Sequence, residues 1–142
     1  MRVILEGNNT IKKLSLIKRL KDNYSLHDFD QPYTSDKFNL FKEKLANDNI
    51  IFTRFLITDL VLCDLLKKVT LSPVDAQILL NKAHEFGYKI FTVVEGNQIH
   101  NSVGRDINNS YIDWSNKLHV PILSFNNLDE NNLEHIEEAI IK

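Results

Sequence analysis

The residues whose types and spacing best fit a chemical role lie near the beginning of the chain, around one glycine. The apolar run Val3–Leu5 ends close to Gly7, and an amphipathic segment rich in lysine follows. A strand, a glycine turn and a helix in this order form a phosphate-binding loop, because free N–H groups at a helix N-terminus attract anions. We therefore predict a phosphate-binding set made of Gly7, Asn8, Asn9, Thr10, Lys12 and Lys13.

This loop keeps two of the four defining positions of the pattern G-x-x-x-x-G-K-[ST]. In that pattern the glycines let N–H groups face the phosphates, the lysine reaches the β and γ oxygens, and the hydroxyl holds Mg²⁺. Gly7 and Lys13 fit, whereas Lys12 stands at the second glycine and Leu14 at the hydroxyl. Leu14 cannot ligate Mg²⁺. We assign no certain cofactor and no metal ligand, and we expect ATP and Mg²⁺ only if the protein is active.

A second segment, Ile50–Val61, supports a family resemblance. Together with Glu6-Gly7-Asn8 it resembles the thymidylate kinase and deoxynucleoside kinase family, in which a strand ends in Asp-Arg or Glu-Arg before a serine-bearing helix. Arg54 stands at the arginine of that family, Thr53 at its carboxylate and Thr58 roughly at its serine. The phosphate-binding loop is therefore interpreted as a degenerate form of the family's loop.

The resemblance implies roles for individual residues. The catalytic set is Lys13, Arg54 and Arg105, of which Arg105 is the one arginine in the segment where the family carries a lid with several. The set beside the phosphate acceptor is Asp30, Gln31, Tyr33, Thr53 and Arg54. Two alternatives stay open: residues 30–33 as a plain surface loop, and Lys12 and Lys13 as a solvated helix face.

Length and composition are those of an ordinary globular protein. The 142 residues are 43% apolar and 25% charged, which fits a single domain over residues 1–142. The net charge of −2 gives no reason to expect a membrane or nucleic-acid partner. With one cysteine and no signal segment, we expect a cytoplasmic protein. The many Asn, Ile and Lys residues suggest a phage or low-GC bacterial genome.

Apolar runs alternate with amphipathic segments along the whole chain, which predicts alternating strands and helices. Strands are predicted at 2–6, 25–29, 49–53, 88–94 and 119–125, and helices at 12–23, 35–47, 57–68, from 72 to the stop at Gly87, 108–118 and after 127. A loop is predicted over 95–106. The fold class is α/β, a three-layer arrangement like that of P-loop kinases, with about five mostly parallel strands and helices on both faces.

Three functions remain open at this level. The first is a pseudokinase that binds an unidentified protein partner or a nucleotide without turning it over, because losing one stabilising group can lower a rate by about 10²–10³ and several are lost here. The second is an active nucleoside or nucleoside monophosphate kinase that uses ATP. The third is an α/β domain whose likeness to P-loop proteins is accidental. The resemblance also implies a homodimer formed through helices.

Overall fold

The computed structural model describes residues 1–30, 36–66, 71–95, 102–125 and 130–142. These residues form five strands: β1 (Arg2–Glu6), β2 (His27–Phe29), β3 (Ile50–Phe52), β4 (Lys89–Glu95) and β5 (Ile122–Phe125). They also form six helices: α1 (Ile11–Tyr24), α2 (Lys37–Leu45), α3 (Leu56–Leu66), α4 (Pro73–Glu85), α5 (Ser102–Lys117) and α6 (Glu130–Ile141).

The strands form one sheet in the order β2-β3-β1-β4-β5, and every pairing is parallel. β1 lies in the middle because its side chains are apolar on both faces. Ile4 packs into the core beneath α2, α3, α4 and α5, whereas Val3 and Leu5 pack into the core beneath α1 and α6. The predicted α/β class and the mostly parallel sheet with helices on both faces are confirmed, and the first strand lies inside the sheet.

Capping residues fix where two of the helices begin. Thr10 is extended, and its side chain accepts a hydrogen bond from the Lys13 N–H, so α1 begins at Ile11. Ser72 caps α4 in the same way, with Pro73 in the first turn, and Gly87 follows the helix with a φ of 78°. The predicted start and stop of α4 are confirmed.

The predicted loop over 95–106 is wrong at its end, because α5 already begins at Ser102. Periodicity identifies a helix only where one face is buried, and Ile107 is the first residue of α5 that packs on the core among those whose side chains are described. Residues 96–101 lie outside the described ranges. β5 begins at Ile122, after Pro121, and forms an edge of the sheet, the position in which a strand tolerates a proline. None of the helices in the described part combines the length and apolar character that a membrane crossing needs.

Candidate functional site

The glycine at the end of β1 is required by a close approach of two strands. Gly7 has a φ of 115°, and a Cβ added there would lie 2.1 Å from the Val93 carbonyl oxygen on β4. Only glycine tolerates both the positive φ and this distance. Gly7 therefore lets the chain turn away from the sheet directly above β4.

The loop after Gly7 uses its own backbone donors within the chain. The Thr10 N–H donates to the Asn8 carbonyl at 2.9 Å, and the Lys13 N–H donates to the Thr10 hydroxyl at 3.3 Å. A phosphate-binding loop instead directs N–H groups of this kind at its ligand. Two donors of the predicted phosphate-binding set therefore already have partners in the folded chain.

The Lys13 side chain lies inside the protein, at 0% exposure. Its Nζ donates to the Gly7 carbonyl at 2.8 Å, the Thr53 carbonyl at 2.6 Å and the Asn9 Oδ1 at 3.2 Å. An ammonium group has three protons, so these three oxygens take all of them. Lys13 thus ties the loop to the end of β3 in the structure.

Burial lowers the pKa of Lys13 to about 7; the nearby Arg54 charge acts in the same direction, and the Glu6 and Asp30 charges oppose it. The ordinary value is 10.5, so between about pH 7 and 10.5 the folded chain binds fewer protons here than the unfolded chain. Stability from this group therefore rises with pH across that window, by at most about 1.4 kcal/mol per pH unit.

We predict that Lys13→Met flattens this rise. The measurement is the free energy of unfolding in urea at several pH values between about 7 and 9.5. Lys18→Met, at an exposed lysine on the same helix, is the control and should leave the slope as it is in the parent chain. An equal slope in Lys13→Met and in the parent would show that Lys13 does not titrate in this window.

Glu6, the last residue of β1, caps the start of α3 from inside the protein. Its carboxylate is 1% exposed and accepts hydrogen bonds from the backbone N–H groups of Phe55 at 2.7 Å, of Ile57, and of Thr58 at 3.4 Å, and from the Thr58 hydroxyl at 2.9 Å. Burial raises its pKa, and the hydrogen bonds and the Lys13 charge oppose the rise. Glu6 was not among the predicted site residues. The available signal was one carboxylate directly after the apolar, doubly buried run Val3–Leu5.

Three residues of the predicted acceptor-side set meet at the ends of β2 and β3. The Asp30 carboxylate accepts from Arg54 at both oxygens, at 2.9 and 2.7 Å, and from the Thr53 hydroxyl at 2.9 Å. The bidentate contact holds Asp30 and Arg54 in a fixed orientation relative to each other. The structure therefore places the Asp30 carboxylate, which directly follows β2, beside Thr53, which directly follows β3.

The remaining members of the predicted sets are placed as follows. The Lys12 Nζ lies 5.8 Å from the ring centroid of Phe125, at the carboxyl end of β5. Arg105 belongs to the first turn of α5, but its side chain lies outside the described residues, as do Gln31 and Tyr33. The functional roles of all these residues stay predictions.

A pocket of about 310 Å³ opens between α3 and α5, beside the loop. Its apolar lining consists of Val61, Leu62, Leu65 and Ile107. Its polar lining consists of Asn8, Arg54, Thr58, Asp106 and Tyr111. Neither Asp106 nor Tyr111 was among the predicted site residues, because a pocket between two helices depends on how they pack. Within the described ranges, no group of three His, Cys, Asp or Glu residues could hold a metal ion.

No protein-family model and no curated protein matches the chain. Several solved structures do, among them the following two. The YorR protein from Bacillus subtilis, in complex with phosphorylated GDP, superposes with a TM-score of 0.77 at 16% identity, covering 99% of this chain and 93% of YorR. Deoxyadenosine kinase from M. mycoides with bound dCTP superposes with a TM-score of 0.55 at 15% identity, covering 99% of this chain and 98% of the kinase.

These similarities, together with the parallel sheet and the helices on both of its faces, define the fold as that of P-loop NTPase kinases. The kinase-like P-loop fold that the sequence resemblance predicted is confirmed.

Proposed function

We propose that this chain is a kinase-like protein that binds a nucleoside or nucleoside monophosphate in the pocket between α3 and α5 and does not transfer phosphate to it efficiently. The observation that carries the proposal is the buried ammonium group of Lys13. In its charged form, all three of its protons are donated to oxygens of the protein itself. The lysine that should neutralise a transferring phosphoryl group is therefore used to hold the loop together.

Phosphoryl transfer depends on positioning and charge neutralisation, so each missing group lowers the rate. Leu14 offers no oxygen to Mg²⁺, and Thr53 offers no carboxylate to the acceptor. The N–H groups of Thr10 and Lys13 have partners within the chain. Together these features argue against tight binding of a triphosphate at the loop.

The pocket, in contrast, fits a small polar molecule with an apolar body. Its volume of about 310 Å³ lies at the lower end of the range for ligand pockets, and it has an apolar wall with a few polar groups, as such sites usually do. YorR and deoxyadenosine kinase, which share the fold, were determined with phosphorylated GDP and dCTP. These two complexes support a nucleotide as the class of ligand.

An active kinase is the second candidate, and one observation favours it. Asp30 accepts hydrogen bonds from the Thr53 hydroxyl and Arg54, so a carboxylate lies beside the threonine at the position proposed for the acceptor. In this alternative Asp30 accepts the proton of the acceptor hydroxyl, and Lys13 leaves its internal partners when ATP binds. A Mg²⁺-dependent rise in melting temperature with ATP would favour it.

The test combines binding and turnover. We expect calorimetry to detect a nucleoside or nucleoside monophosphate, and a coupled assay with ATP and Mg²⁺ to give turnover far below the roughly 1–100 s⁻¹ typical of kinases. Leu62→Trp should fill the pocket and abolish binding, whereas Val74→Trp, at an exposed position on α4, should not. Turnover in the kinase range would contradict the proposal that the protein does not transfer phosphate efficiently. Unchanged ligand binding in Leu62→Trp would show that the ligand does not bind in this pocket.

The protein partner expected of a pseudokinase and the homodimer implied by the family resemblance also stay predictions. Light scattering on the purified chain would give its mass in solution, and a monomeric mass would contradict the dimer. Co-purification from the native host would test the protein partner.

A further inference from the structure

Two hydroxyl groups meet in the wall of the pocket. The Thr58 Oγ1 on α3 and the Tyr111 hydroxyl oxygen on α5 are 2.9 Å apart, and both residues line the pocket. The same Thr58 oxygen lies 2.9 Å from Oε1 of Glu6. Glu6, Thr58 and Tyr111 therefore form a continuous hydrogen-bonded chain that ends at the ligand space.

The direction of each hydrogen bond in this chain follows from counting protons. Both oxygens of Glu6 accept backbone N–H groups, from Phe55 and Ile57, so the carboxylate is an acceptor. Thr58 has a single hydroxyl proton, which it donates to Glu6. Tyr111 must then donate its own proton to Thr58, because otherwise two lone pairs would face each other. Burial raises the pKa of Tyr111, so the phenol keeps that proton at neutral pH.

The Tyr111 oxygen consequently has only lone pairs left for a ligand. A second acceptor, the exposed carboxylate of Asp106, lines the same pocket from the same helix. Hydrogen-bond acceptors in a binding site favour ligand groups that donate, and they disfavour carbonyl oxygens, which would leave both sides unpaired.

We propose that this pocket selects nucleotides whose base carries an exocyclic amino group over those with an oxo group at the same ring position, and that the Tyr111 oxygen and Asp106 determine the selection. This inference rests on the proposed nucleotide-binding function and names the class of base that the site takes. The amino group has two N–H donors, which suit two acceptors. An oxo group offers none.

The test uses ligand pairs in which an oxo group replaces the amino group and the adjacent ring nitrogen gains a proton. They are dCMP against dUMP for a pyrimidine, and dAMP against dIMP for a purine, with dissociation constants measured by calorimetry on the full chain. For the pair whose base fits the pocket, we expect the amino ligand to bind at least about tenfold more tightly than the oxo ligand, because the oxo ligand leaves a polar group unpaired. Tyr111→Phe should reduce the ratio to within about threefold, and Asp106→Asn, whose amide can donate, should also reduce it.

Tyr88→Phe is the matched control, since it removes another buried tyrosine hydroxyl, one that donates to the Leu45 carbonyl and does not line the pocket. It should leave the ratio unchanged, because a purely structural loss weakens both ligands equally. Equal or tighter binding of the oxo ligand in the parent chain would overturn the selection while the proposed function stands. Detecting no nucleotide at all would overturn both. Asp106 is exposed, so its variant remains informative even if Tyr111→Phe folds poorly.

Discussion

Gly7→Ala is expected to destabilise the folded chain by at least about 3 kcal/mol. The added Cβ would lie 2.1 Å from the Val93 carbonyl oxygen, and the positive φ of 115° disfavours any residue with a Cβ. The obstacle is backbone in the middle of the sheet, so it cannot move aside as the end of a flexible side chain would. Because the turn also places Lys13 and Asn8, the variant should lose ligand binding together with stability.

Gly87→Ala is the control for this change. Gly87 also has a positive φ, 78°, but an added Cβ would meet nothing within 4 Å, so only the backbone conformation is disfavoured, by about 1–2 kcal/mol. Chemical unfolding of both variants separates the close contact from the conformational effect. Equal losses in the two would mean that β1 and β4 adjust to the Cβ and that glycine is not required for their approach.

The sheet could be predicted because parallel strands that are buried on both faces are continuous apolar runs. Val3–Leu5 and Ile50–Phe52 are such runs, and both lie inside the sheet. The start of α4 was predictable for a local reason, since Ser72 and Pro73 act within one helical turn. The beginning of α5 could not be predicted from the sequence, because the helix starts before its first described core contact.

The contacts of the site were only partly predictable. Asp30 and Thr53 were assigned to one set by family resemblance, and the reason that they meet is the parallel register, in which Phe29 pairs with Phe52 and the next residue of each strand follows side by side. The burial of Lys13 could not be predicted. Two of its three acceptors are backbone carbonyls, one of them 40 residues away, and no residue type marks the position of a carbonyl.

Glu6→Gln is expected to destabilise the folded chain by about 3 kcal/mol, because it changes the buried carboxylate that caps α3. The glutamine amide keeps one accepting oxygen but points an NH₂ group at a backbone N–H of α3, either that of Phe55 or that of Ile57. One buried donor then loses its partner and faces another donor. The charge that favours a helix N-terminus is lost as well.

Urea unfolding gives the loss in stability, and amide hydrogen exchange at Phe55 and Ile57 shows whether the start of α3 opens. Glu85→Gln, at an exposed helix end, is the control and should change stability by no more than about 0.5 kcal/mol. The same substitution should lower the pKa of Lys13 further, because the Glu6 charge raises it. If Glu6→Gln were no more harmful than Glu85→Gln, Glu6 would not be the cap of α3. The directions of the hydrogen bonds from Tyr111 to Thr58 and from Thr58 to Glu6 would then no longer be fixed by an accepting carboxylate. The proposed preference for bases with an amino group would lose its physical basis.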